Sequence, residues 1–242
     1  RRELRSVAQL RFLHTLALRL NALDDVSAIG QALGVTDPNH LNVETMTGDF
    51  DRGRELFQRS IATYEELGHP ISAVGVTSEI QRLERQAGRL DVAERELRAA
   101  YARLQELGDF GYVSWIAAAL ARVLAEQGEY REAVELARLS REELQPDVAY
   151  AQVLGALVEA MALAADSRAE DAEARALEAL ALVERTDILD LHGDVLLVLA
   201  DLDRSAGRTD AAEARLAQAL ELYERKGDIV SVARVRELVV GA

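Results

Sequence analysis

The side chains able to do acid–base or metal chemistry are scattered along this chain rather than gathered. Four histidines occur, His14, His40, His69 and His192, and no two are spaced to share a helix face as metal ligands. Adjacent carboxylates stand at Asp24-Asp25, Glu65-Glu66 and Glu142-Glu143, in the pattern of solvated helix faces. Paired acids catalyse only where a pocket separates their pKa values. A single lysine, Lys226, stands among 28 basic residues, which removes Schiff-base chemistry and a phosphate-loop lysine from nearly the whole chain. Without cysteine there is no disulfide, thiolate metal site or cysteine nucleophile. Phosphate-loop, dinucleotide and Gly-x-Ser-x-Gly signatures are absent. The expectation is a binding protein and not an enzyme, with no catalytic residues, no metal and no cofactor.

Composition narrows what it binds. The formal net charge is −14, which argues against a non-specific nucleic-acid footprint and makes nucleic acid a disfavoured partner. No apolar run approaches the ~18–20 residues of a membrane span, so no membrane partner is expected. No signal peptide is visible, and the expected location is the cytoplasm. Hydrophobic residues make up 49% but aromatics only 5%, a palette suited to closely packed helices.

The elements that must position any site emerge from an internal repeat. Five segments align: Gly48-Asp-Phe-Asp-Arg-Gly53, Gly88-Arg-Leu-Asp-Val-Ala93, Gly128-Glu-Tyr-Arg-Glu-Ala133, Ser167-Arg-Ala-Glu-Asp-Ala172 and Gly207-Arg-Thr-Asp-Ala-Ala212. Their starts lie 40, 40, 39 and 40 residues apart. Five after each start comes a small residue, Gly53, Ala93, Ala133, Ala172 or Ala212. Twelve after comes another, Ser60, Ala100, Ser140, Ala179 or Ala219. The two offsets differ by seven, two helical turns, so both fall on one face where a neighbouring helix can approach closely. The leading glycine suits the left-handed turn between helix A and helix B. The spacing predicts helices at 50–67, 71–87, 89–107, 110–127, 129–144, 147–165, 168–185, 188–206, 208–226 and 229–240.

This pattern resembles the tetratricopeptide repeat family, in which a turn glycine precedes small residues at these same offsets. Phe57, Leu97 and Leu216 sit where that family expects a large helix-B residue, while Ala137 and Ala176 depart from it. The resemblance covers roughly Pro38 to Asp228, with a repeat of about 40 residues instead of the usual 34. It implies an all-α, right-handed α-solenoid of about five helix-turn-helix repeats. The long repeat is similar to those of bacterial multidomain signalling and transcription regulators. It implies a protein- or peptide-binding scaffold or sensor module within such a regulator. The chain opens on Arg1 rather than Met, and a piece of a longer protein is expected.

The resemblance also places the site. A helices line the concave groove of such superhelices, and carrying the groove positions over gives Arg82 and Arg85 in the second unit. The third gives Trp115, Arg122 and Glu126 with Tyr112 beside them, the fourth gives Leu154, Leu157 and Met161, and the fifth gives Asp194. Guanidinium forks bind carboxylates and a tryptophan gives a rigid anchor, so the expected partner is a segment with acidic and apolar side chains.

Residues 1–37 break the pattern. The stripe Leu4, Val7, Leu10, Leu13, Leu16, Ala17 and Leu20 reads as a helical cap or connector. Ile29-Gly-Gln-Ala-Leu-Gly-Val-Thr36 resembles a helix-turn-helix, which gives a second reading: a peptide-responsive transcription regulator with a degenerate motif at 25–42. Pro38 opens its would-be recognition helix, which offers Asn39, His40, Leu41 and Asn42 but no arginine or lysine. Residues 229–242 read as a C-terminal cap, or as a surface for a homodimer through the terminal helices.

Overall fold

The computed structural model describes residues 48–108, 110–144 and 149–240. The expectations for 1–37 and for the helix-turn-helix at 25–42 lie outside the described residues. Every described element is helical: α1 (Phe50–Glu66), α2 (Pro70–Gln86), α3 (Leu90–Leu107), α4 (Phe110–Gln127), α5 (Tyr130–Arg138), α6 (Ala149–Ala165), α7 (Ala169–Val183), α8 (Leu189–Ser205), α9 (Thr209–Lys226) and α10 (Ile229–Val240). Each helix packs on the next, and α4 also packs broadly along α6. The hairpins α2/α3, α4/α5, α6/α7 and α8/α9 are the A/B pairs that the period predicts.

Local chemistry explains the boundaries. Pro70 occupies the first turn of α2, where its missing N–H costs nothing. Asp49 caps α1, its carboxylate accepting from the Arg52 N–H at 3.2 Å. The A-to-B turn residue is left-handed in each described unit, and in the fourth it is Ser167, at φ 60°. A Cβ in that conformation costs about 1 kcal/mol. Ser167→Gly should therefore stabilise the protein by about 1 kcal/mol and raise Tm by roughly 2–4 °C. A urea midpoint that fails to rise would contradict the strain.

The small-residue stripe does what its spacing suggests. Ala93, Ala133, Ala172, Ala212, Ala100, Ala179 and Ala219 are all buried, as are Ser60 and Ser140. Around them Leu97, Leu104, Ile116, Leu120 and Leu124 form one apolar cluster, and Leu154, Leu157, Val183 and Leu199 belong to the next. A further device repeats at two turns. Glu84 and Asp203 each stand four residues before a turn glycine, and the arginine after that glycine folds back onto them. Arg89 Nε donates to Glu84 at 2.6 Å, and Arg208 Nε donates to Asp203 at 2.7 Å.

One predicted helix changes form. The segment expected at 129–144 is α-helical only to Arg138 and then widens into a π-helix, Leu139–Leu144. Two contacts account for the extra residue. Ser140 keeps its place facing α4, its hydroxyl donating to the Ser114 carbonyl at 2.7 Å. Arg141 is thereby laid across Gly155 of α6, where any side chain would collide with it. Its guanidinium reaches Gln152, Glu159 and Glu178 at 3.2, 3.0 and 3.1 Å.

Candidate partner-binding groove

The inner face is lined by α2, α4, α6 and α8, and two helix spacings organise its charges. Arg82 and Arg85 are three apart on α2, so they share a face; Arg122 and Glu126 on α4, and Asp190 and Asp194 on α8, are each four apart. These pairs meet across the groove. Arg82 pairs with Asp190 at 3.1 Å. Arg85 reaches Glu126 through Nε at 2.9 Å and Asp194 through Nη2 at 3.1 Å. Arg122 pairs with Glu126 at 2.7 Å and approaches Asp194 at 3.6 Å. The first described A helix is thus ionically bridged to the last.

The bridge extends past α8. Tyr223, on α9, donates its hydroxyl to Asp194 Oδ1 at 2.6 Å. Gln86, the last residue of α2, donates through Nε2 to Asp228 Oδ2 at 2.8 Å. Asp228 also accepts from the Ser231 N–H, which caps the start of α10. Beside it, a Cβ placed on Gly48 would lie only 3.4 Å from Val230. The Gln86–Asp228 hydrogen bond thus joins the end of α2 to the turn that leads into α10.

Burial sets the electrostatics. Desolvation would raise the Asp194 pKa, but the Arg122 and Arg85 charges and the Tyr223 hydrogen bond outweigh it and hold the carboxyl at about 2. Desolvation likewise opposes the charge on Arg85, and Glu126 with Asp194 overcomes it, raising its pKa. Burial pushes the Tyr150 phenol up to about 12, so it stays a neutral wall.

Aromatic side chains form the rim. Trp115 packs on Tyr150 with ring centroids 4.7 Å apart and planes tilted by 32°. Tyr112, one turn earlier on α4, lies over Gly75 of α2, 3.7 Å from where a Cβ would sit. Trp115 and Tyr112 remain 38% and 43% exposed, high values for such large rings.

The structure thus brings Arg82, Arg85, Trp115 and Arg122 to one cavity, while Tyr112 packs over Gly75 and is not part of its lining. Leu157 is wholly buried in the apolar core, and Met161 packs half-buried against the neighbouring cluster. On α6 the groove receives Leu154, one of the carried-over positions, and Tyr150, which is not one. Sequence reasoning missed Asp190, Tyr223 and Asp228. Of these, only Asp190 left a readable signal, an acid one turn before Asp194.

The fold these observations define is a tetratricopeptide-like α-solenoid. Among solved structures, BtubC (BKLC) from P. vanneervenii is similar to it, with a TM-score of 0.56 and 18% identity over 86% of each chain. A Podosopora anserina putative kinesin light chain, described as having nearly identical TPR-like repeats, matches with a TM-score of 0.47 and 16% identity, over 78% of this chain and 94% of its own. At these identities the likeness is one of fold. No protein-family model matches this sequence, and no curated protein does. Among the described residues, no helix is long and apolar enough to cross a membrane, and no three His, Asp or Glu side chains are grouped to hold a metal.

Proposed function

We propose that this chain is a protein- or peptide-binding scaffold or sensor module of a larger cytoplasmic bacterial regulator. Its partner contributes an apolar segment; Arg82, Arg85 and Arg122, expected from the sequence to hold acidic side chains of the partner, are paired instead with Asp190, Glu126 and Asp194 of the chain itself. The carrying observation is the exposed pair Tyr112 and Trp115, held rigid over Gly75 and against Tyr150. Rings fixed before binding lose little entropy on contact, which is why such side chains anchor interfaces. The ion pairs joining α2 to α8 occupy the deep groove, so a partner segment meets the aromatic rim first.

Tyr112→Ala combined with Trp115→Ala tests this directly, with an unchanged helical circular-dichroism signal as the check that the variant still folds without the ring contacts to Gly75 and Tyr150. Partners captured from a lysate and identified by mass spectrometry should fall about thirtyfold with the variant, the effect of losing an anchor worth ~2 kcal/mol. Undiminished capture would place the interface elsewhere.

A further inference from the structure

We propose that the bridge between α2 and α8 is a releasable ionic clasp, which closes the groove at low ionic strength and opens it as salt rises.

The clasp differs in kind from the contacts that build the stack. α2 packs on α1, α3 and α4, and α8 packs on α6, α7 and α9. Among the described residues, no apolar cluster joins α2 to α8 or to α10. What joins them is polar. Arg82 holds Asp190 and Arg85 Nη2 holds Asp194, each at 3.1 Å. Gln86 Nε2 reaches Asp228 at 2.8 Å and Ser231 Oγ at 3.4 Å. Dissolved ions screen charge pairs and leave apolar packing in place, so the clasp can part while each repeat stays folded.

Breaking a partly buried pair is costly when it strands a charge. Here most of the groups have a second partner on their own side. Next to α2, Arg85 keeps Glu126 through Nε at 2.9 Å, and Arg122 keeps the same carboxylate at 2.7 Å. Across the groove, Asp194 keeps the Tyr223 hydroxyl at 2.6 Å. Asp228 keeps the Ser231 N–H and hydroxyl at 3.0 and 2.9 Å. Arg82 and Asp190 give up their mutual pair, but their side chains are 17% and 21% exposed, within reach of water. A cavity of about 370 Å³ lies against all of these residues except Asn-free α3, so solvent enters as they separate. A stack with satisfied contacts in both arrangements is a two-state element that solution conditions can bias. Opening moves α2 away from α8 and widens the space beneath Trp115 and Tyr150.

The chain has no cysteine, so Gln58→Cys on α1 and Gln218→Cys on α9, both exposed, give unique sites for spin labels on either side of the clasp. Between about 0.05 M and ~1 M NaCl, as the Debye length falls to ~3 Å, the label separation should lengthen by more than about 2 Å with the helical circular-dichroism signal unchanged. Gln86→Ala with Asp190→Asn and Asp194→Asn cuts the clasp but spares Glu126 and an acceptor for Tyr223, and should show the longer separation already at low salt. The swap Arg82→Asp with Asp190→Arg keeps the pair in reverse and should retain the short separation, whereas either half alone should lengthen it. The proposal is overturned if salt leaves the separation unchanged, if the triple variant folds with the wild-type separation, or if the swap is no shorter than its halves. These readouts involve no partner, so they and capture through Tyr112 and Trp115 can fail independently.

Discussion

Replacing Arg85 with leucine should destabilise the protein by about 3–5 kcal/mol at neutral pH and lower Tm by roughly 10 °C. Arg85 is mostly buried and holds Glu126 and Asp194 at 2.9 and 3.1 Å. Without it Arg122 alone faces two carboxylates in a poorly solvated space, and an unpaired buried charge is far costlier than the pair was worth. The pH dependence identifies the cause. Asp194 titrates at about 2 in the folded protein, below the ~3.9 of an unfolded aspartate. Its contribution is complete above about pH 4 and is lost as pH falls through 2. In the variant the folded pKa moves upward, so that contribution shrinks and the difference from wild type narrows on acidification. Urea titrations at pH 7 and pH 3 measure this, and a penalty equal at both values would rule out the ionic origin.

Gly193→Val should cost about 3 kcal/mol or more, at the upper end for overpacking. A Cβ at Gly193 would lie 2.5 Å from Tyr223 Cζ and 2.8 and 2.9 Å from its two Cε atoms. That ring is 1% exposed and tethered by its hydroxyl to Asp194, so it cannot swing aside. Tyr223→Phe would lose the tether yet leave the collision, since the ring carbons remain. Tyr223→Leu in the Gly193→Val background should relieve part of the penalty, giving a coupling of about 1 kcal/mol or more in a double-mutant cycle. Strict additivity of the two substitutions would show that the ring is not the obstacle.

Most of the architecture was legible because the repeat marks itself. A left-handed turn needs glycine and close helices need alanine, so both leave residue-specific traces at fixed offsets. Arg82, Arg85, Trp115 and Arg122 were legible for the same reason: a clear unit start fixes the register along each A helix. Beyond that the sequence is silent for physical reasons. Whether Arg85 meets Asp194, 109 positions away, depends on small rotations accumulated over three helix pairs, and no single residue encodes their sum. The π-helix at Leu139–Leu144 is similarly hidden, because it arises from Ser140 and Arg141 satisfying partners on neighbouring helices. Groove register on α6 falls on Tyr150 and Leu154, and Leu157 is turned into the core.

The hydrogen bond between Gln86 and Asp228 changes how such a molecule can come apart. A linear stack of repeats frays from whichever end is weaker, one nearest-neighbour step at a time. Here the end of α2 is hydrogen-bonded to Asp228 and Ser231 at the start of α10, so peeling α10 away also breaks contacts made by a distant repeat. Fastening separated repeats to one another makes the stack less of a zipper, and pushes unravelling toward fewer and larger steps.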